Sequence, residues 1–150
     1  MTKGDRYLEN LVNTANPVRL VILLYDKAIT SLKLAAEIME KVDPTPEEVD
    51  RKYRALGRAG EILAVLDGTL NFEKGGEIAA RLHEIYESLT DELLRVTAKD
   101  DPATVRRMVK VLEDLRAAWA EAETNLKKEG LLATAGKNTR EKSSGLAATL

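Results

Sequence analysis

The chain has one histidine, no cysteine and 25 carboxylates, and these bound the chemistry open to it. A carboxylate-bridged metal pair in a helical protein needs Glu-x-x-His on two helices and two more Glu residues. The residue three before His83 is Ala80, so that motif is absent and no metal is expected. His83 reads instead as a helix surface residue. A Ser triad would have to recruit this same imidazole, and without Cys there is no thiol nucleophile, thiolate ligand or disulfide. The pairs Glu47-Glu48 and Glu121-x-Glu123 fall at a helix start or on a polar face, where they complement the helix dipole or meet solvent. Gly75-Gly76 at a helix start can face an anion. A phosphate loop needs more glycines, a Lys-Ser/Thr and a preceding strand, so the pair fits a structural turn better. No catalytic residue and no cofactor follow from these residues, and an enzyme is not expected.

The elements carrying these residues are helical. Of 150 residues, 44% are apolar but only 4% aromatic, and 32% are charged. Leu, Ala, Lys, Arg and Glu dominate, all of them helix formers, which points to an all-α protein. Prolines 17, 44, 46 and 102 stand beside capping residues. Asn16-Pro17 and Asp101-Pro102 pair a cap with Pro at the first helical position, and Thr45-Pro46-Glu47-Glu48 forms a capping box. Gly75-Gly76 is the fourth start signal. Four apolar stripes at helical spacing follow: Val18 to Met39, Val49 to Leu66 or Leu70, Ile78 to Val96, and Val105 to Leu126. Each stripe holds one large aromatic, Tyr25, Tyr53, Tyr86 or Trp119. Gly68 leaves the end of the second helix open. Short linkers favour an antiparallel up-down four-helix bundle over residues 17–126, with helices about 30 to 37 Å long.

The ends differ. Residues 1–16 lack a sustained period and read as a segment packed on the bundle. Residues 127–150 carry five basic and two acidic side chains among Gly, Ser, Thr and Ala, and read as a flexible tail. The net charge of −2 demands neither nucleic acid nor an anionic membrane. No apolar run approaches a membrane span, and the first residues show no signal-peptide core. A cytoplasmic location follows as the expectation.

Surplus hydrophobicity remains on the first helix. Val21, Ile22, Tyr25 and Ile29 can supply its core stripe, so Leu20, Leu23, Leu24 and Leu34 must point elsewhere. A helix that is apolar all round is central or covered. Either the N-terminal segment covers the patch through Tyr7, Leu11 and Val12, or a partner helix does.

Specific residues then match a known family. The matches are Tyr7-x-x-Asn10-x-Val12-x-Thr14-Ala15-x-Pro17, Leu20-x-x-x-Leu24-Tyr25-Asp26-x-Ala28-Ile29, Leu70-Asn71-x-x-x-Gly75-Gly76-Glu77-Ile78-Ala79-x-x-Leu82-x-x-Ile85-Tyr86, and Leu112-x-x-Leu115-x-x-x-Trp119. In this order and spacing the chain resembles the flagellin export chaperones, the FliS family, over residues 7–120. It departs from the pattern at Lys27, where Gly is usual, at Ser88, where a second Tyr is usual, and at Gly68.

The resemblance implies an antiparallel bundle that holds the C-terminal segment of flagellin in the cytoplasm. It would block premature polymerisation and keep the subunit competent for flagellar type III export. The partners would be that segment and the flagellar export apparatus, with a monomer or weak homodimer when client-free. The client-binding set then comprises Leu20, Leu23, Leu24 and Leu34 with the motif residues Tyr25, Ile29, Leu70, Ile78 and Leu82. Tyr7, Asn10, Leu11 and Val12 form the displaceable cover, and Gly75 and Gly76 the structural turn. The alternative is a structural or adaptor bundle that self-associates through the same patch and has no flagellin client.

Overall fold

The computed structural model describes the backbone of residues 17–136 and the side chains through Glu129. It holds four helices: α1 (Pro17–Met39), α2 (Pro46–Gly68), α3 (Phe72–Ala98) and α4 (Pro102–Gly136). Their starts follow from the caps. Thr45 accepts from the Glu48 backbone N–H at 3.1 Å, and the Glu48 carboxylate accepts from the Thr45 N–H at 2.9 Å. Asn71 caps α3 through Lys74 N–H at 3.0 Å, and Asp101 caps α4 through Thr104 N–H at 3.1 Å. Each bond satisfies an amide that the first helical turn leaves orphaned. Asn16 lies outside the described residues, as does the whole of the expected N-terminal cover, Tyr7, Asn10, Leu11 and Val12.

The helices form an antiparallel ring. α1 packs most extensively, against α4 and against α2, while α2 with α3 and α3 with α4 touch less. Small residues bring α1 and α2 close: Ala28, Ala35, Ala55 and Ala59 are all buried. The sequence places a charge at every seventh position along α1 and just past its end: Arg19, Asp26, Lys33 and Glu40. Each meets an opposite charge on α4. Arg19 forks onto Glu123 at 2.8 and 2.5 Å, Arg116 pairs with Asp26, Lys33 lies 3.5 Å from Glu113, and Arg106 lies 2.7 Å from Glu40. The signs alternate along the ladder. A slip of one heptad would set Arg19 near Arg116 and Lys33 near Arg106, so the ladder opposes that register as well as supporting the native one.

Three sequence expectations change. Tyr53 is not in the core: it is 48% exposed, and the stripe of α2 starts instead at Lys52, which is buried. The Lys52 ammonium reaches Asp100 at 2.9 Å and sits 4.4 Å from the Tyr53 ring centroid, so its stem fills the core position while its head stays paired. Second, α3 begins at Phe72, before the glycine pair. The pair still marks a break, since Gly76 adopts φ 53°, ψ −123° and separates a first turn from the main helix. An added Cβ there would meet no neighbouring atom within 4 Å, so the backbone angle, not crowding, calls for glycine. Third, α4 continues to Gly136, ten residues past the expected end at 126. Residues 137–150 lie outside the described residues. Gly68 closes α2, with Thr69 as its cap.

Candidate functional site

The centre of the bundle is closed by a polar bond chain. Tyr25 on α1 and Tyr86 on α3 share a hydrogen bond of 2.5 Å between their hydroxyls, and Trp119 Nε1–H on α4 donates to Tyr25 Oη at 3.3 Å. All three side chains are buried. Burial pushes both phenols up from their ordinary pKa, so each remains a protonated donor. Periodicity places these aromatics on one stripe each; the structure adds that their polar atoms meet.

Away from this knot the walls between helices differ. Among the described residues, no side-chain hydrogen bond or ion pair joins residues 72–98 to residues 102–126, and α3 and α4 are the least extensively packed neighbours in the ring. Between them lies an open groove of about 400 Å³. Its apolar lining comes from Ile85 and Leu89 on α3 and from Met108 and Val111 on α4, with Glu84, Ser88, Glu92 and Arg107 around it. Ile78 lies seven residues before Ile85, and Leu115 seven after Met108, so helical spacing extends the apolar walls beyond the groove. Ile78 and Val111 are each 38% exposed. Such a seam can accept the apolar face of a further helix.

The nine residues expected to bind a client divide. Leu24, Tyr25, Ile29 and Leu82 are buried and belong to the core cluster. They hold the bundle together in this state and offer no surface, so Leu24→Asp is expected to unfold the chain rather than only to block a partner. Leu20 and Leu34 are half-buried against the core, as is Leu70 in the turn between α2 and α3. Leu23 is also half-buried. By helical spacing Leu20, Leu23 and Leu34 share one side of α1, at the margin of its core stripe and partly covered. Ile78 falls by helical spacing on the side of α3 that carries Ile85, beyond the groove lining. Val111 is not singled out by spacing, whereas Met108, a stripe residue of α4, is buried at the floor of the groove. The signal was present in the doublets Met108-Val109 and Val111-Leu112, which make the apolar stripe of α4 wider than one core face requires.

His83 is more than a surface residue. Its Nδ1 is 2.7 Å from Asp67 Oδ1 at the end of α2, its Nε2 is 3.2 Å from Glu87 Oε2, and its ring meets Phe72 edge-on with centroids 5.8 Å apart. The hydrogen bond to Asp67, then the charges of Asp67 and Glu87, raise its pKa above the ordinary histidine value. His83 thus ties α2 to α3 beside the Leu70–Gly76 turn. Among the described residues no group of three His, Asp or Glu side chains is placed to hold a metal ion, and no helix is long and apolar enough to cross a membrane.

Fold and groove together define a helical bundle whose third and fourth helices part over an apolar strip. The family model described as Flagellar protein FliS matches residues 1–126, and the chain belongs to that family. It is similar to the flagellar secretion chaperone FliS of Bacillus subtilis, at 28% identity over 123 residues that cover 82% of this chain and 87% of the relative. It is similar also to the FliS of Salmonella typhimurium, at 31% identity over 76% of this chain and 82% of the relative. A third relative is the flagellar secretion chaperone FliSB of Pseudomonas aeruginosa, at 29% identity over 75% of this chain and 85% of the relative.

Proposed function

We propose that this chain is a cytoplasmic, non-enzymatic export chaperone that holds the C-terminal segment of flagellin, prevents its premature polymerisation and delivers it to the flagellar export apparatus. The observation that carries the reading is the apolar seam between α3 and α4, where Ile85 and Val111 present apolar surface above the buried Leu89 and Met108. Family membership supplies the direction of the reading, and the named relatives are flagellar secretion chaperones.

The mechanism is helix-in-groove recognition coupled to ordering of the client. Ordering a disordered segment needs on the order of 1,000 to 3,000 Å² of buried surface. A groove lined by eight residues supplies only part of that. A client would therefore run on to a second strip, and the side of α1 at Leu20, Leu23 and Leu34 provides apolar surface for it. Residues 1–16, with Tyr7, Asn10, Leu11 and Val12, are proposed as the cover that leaves when client arrives.

Calorimetry with a flagellin C-terminal peptide tests this. Val111→Asp should leave the circular dichroism spectrum unchanged and lower the affinity at least tenfold. Unchanged affinity would remove the groove from the client path. A self-associating bundle is the second reading, favoured by Tyr53 and Leu94, exposed by 48% and 66% on α2 and α3. Sedimentation separates the two: a chaperone forms a one-to-one complex with the peptide, whereas a self-associating bundle ignores it.

A further inference from the structure

We propose that the α3–α4 groove selects the direction of the helix it accepts, by a difference in charge between its two walls. The inference rests on the reading of this groove as a client site. On α3 the rim carries Glu84 and Glu92, and on α4 it carries Arg107. Among the described residues, neither carboxylate forms an ion pair with a Lys or Arg, and Arg107 forms none across the groove; its acidic neighbour is Asp101, at the start of its own helix. Most other charges facing between helices are neutralised, as the α1–α4 ladder shows. At the groove rim, opposite charges on the two walls stand apart, with no ion pair across the gap.

The Arg107 charge is also held in place. Its Nη2 donates to Thr104 Oγ1 at 2.9 Å, and that hydroxyl donates to Asp101 Oδ2 at 2.6 Å. Asp101 is the cap of α4, so the guanidinium is anchored to the helix start, and less ordering remains to be done on binding. On the opposite wall the two carboxylates are eight residues apart, about 12 Å along the helix. Residues seven or eight apart on a docked helix would face them in turn.

The complementary occupant is an amphipathic helix whose apolar stripe has Lys or Arg along one edge and Asp or Glu along the other. Its basic edge lies against α3 and its acidic edge against α4. A helix turned end for end exchanges its edges, so such a helix fits in one direction only. Apolar contacts with Ile85, Leu89, Met108 and Val111 supply affinity, and the rim charges supply orientation.

The probes are three synthetic 18-residue helical peptides with the same leucine stripe. One has a Lys edge and a Glu edge, the second has these edges exchanged, and the third has Glu on both. Each carries a nitroxide at its N-terminus, and methyl relaxation in the full chain reports which end of the groove the label occupies. The first two should bind with equal affinity and place the label at opposite ends. The third should bind about tenfold more weakly at low salt, a difference that shrinks as salt screens the rim. The triple variant Glu84→Lys, Glu92→Lys, Arg107→Glu should reverse the direction of both mixed-edge peptides. A label that stays at one end for both peptides, or that spreads over both ends, overturns the directional selection. Loss of all three peptides in Val111→Asp alongside that result would leave the groove reading standing. Equal binding of all three to wild type and Val111→Asp, or no binding to either, overturns the groove reading itself.

Discussion

Tyr25 stands between two partners, and that asymmetry gives a stability prediction with a sign. Tyr25→Phe removes the hydroxyl that accepts from Trp119 Nε1–H and pairs with Tyr86. Two buried polar groups are then orphaned, each costing about 1–3 kcal/mol, so the variant should lose roughly 2–6 kcal/mol. Tyr86→Phe removes only the bond between the two hydroxyls, because Tyr25 keeps the Trp119 donor, and should lose about 1–3 kcal/mol. In the double variant only the Trp119 N–H is unpaired. Adding Tyr86→Phe to Tyr25→Phe should therefore restore about 1–3 kcal/mol instead of costing it. Urea denaturation followed by fluorescence of Trp119, the single tryptophan, and by circular dichroism measures all four corners of the cycle. If the second substitution costs as much in the Tyr25→Phe background as in wild type, the three groups do not form one bonded unit.

Further predictions follow from His83 and from the glycines. The His83 pKa is raised by Asp67 and Glu87, so its contribution to stability is fully present below the unfolded value near 6.5 and is lost as pH rises through the folded value. Proton NMR titration of the imidazole should show the raised pKa in wild type and a lower one in Asp67→Asn; an unchanged titration would show that the Asp67 contact does not form in solution. Gly76→Ala should destabilise by about 1–3 kcal/mol, because φ 53° strains any residue with a Cβ. Gly57→Ala, in mid-helix with open space around the new methyl, should stabilise by about 0.5–1 kcal/mol. Thermal denaturation that moved both variants in the same direction would contradict this account of Gly76.

Much of the fold is readable from local signals because local forces set it. The Thr45 box and the Asn71 and Asp101 caps act within four residues of chain, and the sequence shows the first and third of these plainly. Tyr53 was misplaced because helical spacing tolerates a shift of one residue. A lysine with a long apolar stem took the core position, and its partner, Asp100, lies 48 residues away, where no window of sequence reveals it. The apolar residues of α1 beyond its core stripe likewise divide by contacts that spacing does not contain. α1 has two extensively packed neighbours, so Leu24 is absorbed into the core cluster and Leu20, Leu23 and Leu34 are left half-buried. The groove itself is a property of how closely two helices approach, and no single-helix pattern contains that distance.

The location of the open seam follows from how the other three seams are closed. α1 and α4 are joined by four alternating ion pairs, two of them with both guanidinium groups donating in forks. α1 and α2 meet over buried alanines. α2 and α3 approach closely enough that a Cβ on Gly60 would lie 3.2 Å from Leu93 Cδ2, and His83 and Asp67 tie their far ends. α3 and α4 have none of these devices among the described residues 72–126; the hydrogen bonds that bridge them run through Tyr25, which belongs to α1. Inserting a partner between α3 and α4 therefore breaks no direct ion pair or hydrogen bond between them, whereas prising apart any other pair breaks several contacts at once. Under the proposed function, a partner that competes for apolar contact meets the fewest specific bonds at the seam lined by Ile85, Leu89, Met108 and Val111.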